Sequence, residues 1–127
     1  MAEKVAPVNP PASTEQIRNV VLIGPSGSGK TTLVESMLFA AGCIGRPGSI
    51  ADGSTVSDYD DAEKRQQRST NLTVAAFDVQ GIRVNLIDVP GYADFAGEVG
   101  AGLRAADAAL FVVTADSGFD GNTRLLW

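Results

Sequence analysis

The chain has 127 residues, a net charge of −5 and a hydrophobic content of 44%, which is the size of one domain or part of one with enough apolar residues for a core. Its acidity argues against a segment that grips nucleic acid by charge, so no direct sequence-specific nucleic-acid binding is expected of it. It has no histidine, the usual general base and zinc ligand; its single Cys43 cannot close an internal disulfide and fits a reducing cytosol; and no apolar run approaches membrane-spanning length.

Residues 1–16, with Pro7, Pro10, Pro11, Ser13 and Thr14, read as a disordered leader. They lack a signal-peptide pattern, and the cytoplasm is the expected location. The run Asn19, Val20, Val21, Leu22, Ile23 predicts a buried strand over 18–23. Directly after it, Gly24-Pro25-Ser26-Gly27-Ser28-Gly29-Lys30-Thr31 matches the phosphate-loop pattern G-x-x-x-x-G-K-[ST] without a mismatch, which chance alone yields in roughly one percent or fewer of chains this long.

The chemistry requires those residue types. A polyphosphate needs several backbone N–H groups turned toward it, and a chain poor in side chains can wrap that closely. Gly24, Gly27 and Gly29 supply the freedom, with Pro25, Ser26, Ser28 and Thr32 completing the candidate binding stretch. Lys30 would reach the β- and γ-phosphates and Thr31 would hold magnesium through its hydroxyl. Leu33, Val34, Met37, Leu38 and Ala41 have helical spacing, so the spacing predicts a helix over 30–41, closed by Gly42, with its positive end at the loop.

Residues 43–71 form a long polar stretch, expected to be functional or disordered, with a short exposed helix possible within 59–67. The cluster Lys64, Arg65 and Arg68 fits a solvated face better than a phosphate clamp. Two strands, 72–79 and 82–87, flank the turn Gln80-Gly81 as a hairpin, and the second ends in Asp88. A helical segment follows to about residue 106. Its glycines Gly97, Gly100 and Gly102 each cost about 1 kcal/mol relative to alanine, which predicts a weak, mobile helix. Residues 108–114 read as a buried parallel strand, 115–121 as a loop, and 122–127 as the first turn of a helix.

Asp88 alone could be a strand-terminal solvated carboxylate or a helix cap. Standing at the end of an apolar strand after a phosphate loop, it occupies the Walker B position, with its carboxylate acting on magnesium through a water. Asp88-x-x-Gly91 adds a pattern in which the glycine N–H of phosphate-switch proteins faces the γ-phosphate. The stretch 43–71 should then hold a hydroxyl that completes the magnesium shell, with Ser69 and Thr70 as candidates.

Four stretches together, GPSGSGKTTLVESMLF at 24–39, SDYDDAEKRQQRST at 57–70, VNLIDVPGYADFAGEV at 84–99 and ADAALFVVTADSG at 106–118, resemble the start of the G domain of translational GTPases. The resemblance is to the elongation factor G family, including its elongation factor G-like members. It covers 19–127, and the spacing from Ser69 to Asp88 is similar to that between the family's switch threonine and switch aspartate. It implies an α/β fold: a P-loop NTPase three-layer sandwich with a mostly parallel sheet in the order 2-3-1-4, and 17–127 as the N-terminal portion of a GTP-binding domain. It implies GTP/GDP and magnesium as cofactors, the ribosome as partner and a switch driven by loss of the γ-phosphate. Lys30, Gly91 and Tyr92 would be the catalytic set, and Thr31, Ser69 and Asp88 the metal set.

The chain departs from the family pattern at four places. Tyr92 stands where the family usually has a histidine that positions the attacking water, which predicts slow or absent hydrolysis. Gly27 stands where most members have an aspartate. Gln66-Gln67-Arg68-Ser69 aligns with R-G-I-T. The guanine-reading N-K-x-D motif and the later strands would lie beyond residue 127, so the fourth strand's edge is expected to be free and the chain alone marginal or self-associating. A nucleotide kinase would share GPSGSGKTT but show an arginine-rich lid and no D-x-P-G. A transporter ATPase would show a signature loop before Asp88, and none is visible. A module that binds GTP or GDP without hydrolysis is the other reading, supported by Tyr92 and Ser69.

Overall fold

The computed structural model describes residues 10, 13–49, 54–56, 72–90, 96–116, 118–119 and 121–127. Strands β1 (Ile17–Ile23), β2 (Thr73–Val79), β3 (Ile82–Asp88) and β4 (Ala108–Phe111) form one sheet in the order β2-β3-β1-β4. β1 runs parallel to both β3 and β4, and β2 is antiparallel to β3. The α-helices among the described residues are α1 (Lys30–Ala40), α2 (Ala96–Ala105) and α3 (Gly121–Leu126).

Successive residues of a strand face opposite sides of the sheet, so the unbroken apolar run of β1 feeds two cores. Leu22 packs with Leu86, Val34 and Leu38 under α1. Val21 and Ile23 pack with Ile87, Val89 and Val99 under α2. Helix, sheet, helix is the expected three-layer α/β sandwich, mostly parallel, in the expected strand order.

The hairpin closes where expected. Gln80 and Gly81 both have positive φ, 50° and 78°, the twist that joins two antiparallel strands through two residues. Helix α1 ends as the sequence indicates. The Gly42 N–H donates to the Phe39 carbonyl and the Cys43 N–H to the Leu38 carbonyl, both at 2.9 Å, the paired bonds of a Schellman motif.

Four expectations change. Residues 14–16, read as leader, form a 3-10 turn (Thr14–Gln16) with a capping box from Ser13 and Gln16; residues 1–9, 11 and 12 lie outside the described residues. Gly102 of α2 is more than a propensity loss. It is buried, and a Cβ there would stand 2.9 Å from Val89 Cγ1 and 3.0 Å from Val21 Cγ2, so its bare backbone lets the helix sit close on the sheet.

The third change is at β4, which stops at Phe111 rather than 114, with Ala108, Ala109 and Leu110 exposed rather than buried. Among the described residues it pairs with β1 alone. After one more backbone bond, Val112 N–H to the Ile23 carbonyl at 2.7 Å, the chain turns back so that Gly118 N–H donates to the Thr114 carbonyl at 2.9 Å. Phe111 then packs against Phe119 and Trp127, ring centroids 6.3 and 5.1 Å away. α3 begins at Gly121, one residue earlier than expected. The helix expected within 59–67 falls outside the described residues.

Candidate phosphate-binding site

β1 leads through residues 24–31 into α1, and the chain next joins the sheet on the β3 side of β1. From β3 it passes through α2 to β4, on the other side of β1. The direction of winding therefore reverses at β1, and in open α/β sheets the ligand crevice lies beyond the strand ends at such a point. The loop of 24–31 stands there.

Each glycine of the pattern has a local reason. A Cβ on Gly24 would lie 2.0 Å from the Val112 carbonyl oxygen, so only glycine lets β1 leave the sheet alongside the end of β4. Gly27 and Gly29 have φ of 76° and 92°, a region that side chains disfavour. The Ser28 N–H donates to the Pro25 carbonyl at 3.2 Å, and the Leu33 N–H to the Gly29 carbonyl at 2.8 Å, starting α1. Gly29 is the N-cap of α1 and offers no side-chain cap, so the helix presents its first N–H groups to an anion.

Two side chains at the start of α1 are buried in this cradle. Lys30, 7% exposed, donates from Nζ to the Gly24 carbonyl at 2.8 Å and the Pro25 carbonyl at 3.0 Å. Thr31 donates from Oγ1 to Asp88 Oδ2 at 2.8 Å. The parallel register that pairs Leu22 with Asp88 puts this carboxylate beside the end of β1. Ser28 Oγ is buried with no hydrogen-bond partner among the described residues, and native structures seldom leave such a group unmet. Beside the loop, Pro25, Ser26, Gly27 and Ser28 face Thr114, Asp116 and Gly118 across an open cleft of about 240 Å3.

An oxyanion suits this set: a helix start without a side-chain cap, a lysine and an orphan hydroxyl. A hard divalent cation suits the Thr31 and Asp88 oxygens. No group of three His, Cys, Asp or Glu residues capable of holding a metal occurs among the described residues, so such a cation would rely on these two oxygens together with phosphate and water. The structure thus brings together Gly24, Pro25, Ser26, Gly27, Ser28, Gly29, Lys30, Thr31 and Asp88. Thr32 is exposed, and its carbonyl accepts the Ser36 hydroxyl at 2.9 Å. Ser69, Thr70, Gly91 and Tyr92 lie outside the described residues.

One residue escaped the sequence reading. Glu35 is 1% exposed. Its Oε2 accepts the Gly48 N–H at 2.7 Å, and its Oε1 accepts the Val56 N–H. The available signal was position, four residues after Thr31 and between Val34 and Leu38, where α1 faces the sheet. Away from the site, burial and then the negative charge of Asp78 push the Cys43 thiol above its ordinary pKa.

The fold and the glycine cradle define a P-loop α/β domain of the NTPase type. Residues 15–127 match the family Elongation factor Tu GTP binding domain, and the chain belongs to that family. It is 61% identical over 111 residues to an elongation factor G-like protein of Mycobacterium tuberculosis, a match covering 87% of this chain and 16% of that protein. A Synechocystis elongation factor G-like protein is 44% identical over 104 residues, covering 82% and 16%. A crystal structure of a Thermus thermophilus protein superposes with a TM-score of 0.84 at 43% identity, covering 88% of this chain and 17% of that one. The chain spans only 16–17% of the length of these relatives.

Proposed function

We propose that the chain binds GTP and GDP with magnesium at residues 24–31 and serves as the nucleotide switch of an elongation factor G-like translation factor. The observation that carries this is the buried Thr31–Asp88 hydrogen bond at 2.8 Å. It sets a hydroxyl and a carboxylate together beside a lysine-bearing glycine cradle. Lys30 exchanges its loop carbonyls for β- and γ-phosphate oxygens, and the α1 N–H groups hold the phosphate chain. Thr31 would hold magnesium through its hydroxyl and Asp88 through a water, with Ser69 completing the set. The ion, when bound, neutralises charge on the phosphates.

Following the family pattern, Gly91 would meet the γ-phosphate with its N–H, and Tyr92, in place of a histidine, would orient the attacking water poorly, so slow hydrolysis is expected. The ribosome is the partner of the whole factor, by its family. The cytoplasm is the location expected of such a factor. Separately, no helix among the described residues is long and apolar enough to cross a membrane.

Titration with fluorescent GDP, GTP and ADP, with and without magnesium, tests the reading. Lys30→Ala should weaken binding about 10- to 100-fold, the range expected for a lost charged hydrogen bond. Equal binding by Lys30→Ala and the parent would overturn it. The second reading, binding without hydrolysis, rests on Tyr92 and Ser69. Phosphate release stimulated by ribosomes would exclude it, and its absence would favour it.

A further inference from the structure

Glu35 has no part in the phosphate cradle, yet it is among the most deeply buried side chains described. Burying a carboxylate is costly unless hydrogen bonds replace its water. Here two backbone N–H groups do so, from Gly48 and from Val56. The match is specific to a carboxylate, since glutamine would turn an NH2 group toward one of the two donors. The two gripped segments also meet each other: a Cβ on Gly48 would lie 2.3 Å from the Ser54 carbonyl oxygen, and Thr55, next to Val56, is 7% exposed.

The Val56 segment reaches the site. Val56 lines a cavity of about 10 Å3 with Val34, Ala75, Leu86 and Asp88, room for at most one water. Val56 and Asp88, whose carboxylate accepts the Thr31 hydroxyl, therefore border the same small cavity. Thr31 and Glu35 stand one turn apart on α1 and share a face. One face of α1 thus carries both the residue that bonds Asp88 and, through Glu35, the residue that borders the cavity beside it.

We infer that Glu35 is a positioning residue for the Thr31–Asp88 pair. By binding the Gly48 and Val56 N–H groups it fixes the cavity border that keeps water from drawing Asp88 away from Thr31. The inference rests on the proposed reading of that pair as the magnesium site. Glu35 touches neither nucleotide nor metal, so its effect belongs to the magnesium-dependent part of nucleotide affinity.

The test uses the full-length protein and two variants that reach the same contact from opposite sides. Glu35→Gln keeps the size and changes one acceptor to a donor; Gly48→Ala pushes its segment from Ser54. GDP affinity is measured with magnesium and with chelator, and amide exchange at Gly48 and Val56 is followed without nucleotide.

In both variants exchange at these amides should quicken. The gain in affinity on adding magnesium should shrink about 10-fold, the scale of one charged hydrogen bond, with affinity in chelator within about twofold of the parent. Faster exchange with an unchanged magnesium gain in either folded variant would overturn the inference, leaving Glu35 a loop tether only. If Lys30→Ala abolishes binding while both variants behave as the parent, the inference alone falls. If the parent shows no magnesium-dependent binding, the nucleotide reading falls with it.

Discussion

β1 and β4 lie side by side in parallel, with Leu22 opposite Leu110. Both come from unbroken apolar runs. Leu22 is 0% exposed and Leu110 is 37% exposed. Their neighbours account for the difference. β1 is paired along both edges and covered by a helix layer on each face, whereas β4, among the described residues, is paired along one edge only. An apolar run reports the composition of a parallel strand; its place in the sheet depends on what the rest of the chain sets beside it.

Substitutions can sharpen or break that contrast. Leu22→Ala should destabilise by about 2–5 kcal/mol, as for a closed core site, measured by denaturant unfolding. Next comes α2 over the β1 face. Gly102→Ala should cost about 1–2 kcal/mol, because two stiff valine methyls must move and the gain in helix propensity only partly offsets this. Gly97→Ala, with open space around it, should stabilise by up to about 1 kcal/mol; a matching sign at the two positions would show that α2 does not bear on β1 as described.

At the exposed strand, Leu110→Ala should cost about 1 kcal/mol or less. A loss as large as that of Leu22→Ala would erase the contrast. The smallest effect is expected at the other edge. Asp78 pairs with Arg83 at 3.0 Å on the surface, and Asp78→Asn should change stability by less than about 1 kcal/mol. It should also lower the Cys43 pKa, since a negative charge that favours the protonated thiol is gone. At a fixed mildly alkaline pH, Cys43 of that variant should alkylate faster than in the parent.

Local patterns were legible in the sequence, and long-range ones were not. Lys30 and Thr31 follow from eight consecutive residues, the hairpin from Gln80-Gly81, and Asp88 from its place at the end of an apolar strand. Glu35 was invisible because its partners Gly48 and Val56 lie 13 and 21 positions away, with no periodicity linking them. Propensity counts Gly102 only as a loss; its use depends on Val21 and Val89 in other elements. Val112 and Val113 have strand-like side chains, but the turn that joins Thr114 to Gly118 decides where β4 ends.

The bond from Thr31 to Asp88 joins residues 57 positions apart, and the hairpin that carries Asp88 closes through two. A short turn forms quickly, and a parallel pairing across so long a loop forms slowly. In the order of folding events β2 and β3 can come first, while the cradle waits until β1 has docked on β3. A ligand that needs the finished cradle has nothing to hold at the rate-limiting barrier. It should lengthen the lifetime of the native chain and leave the refolding rate as it was, so that in a chevron plot only the unfolding arm descends.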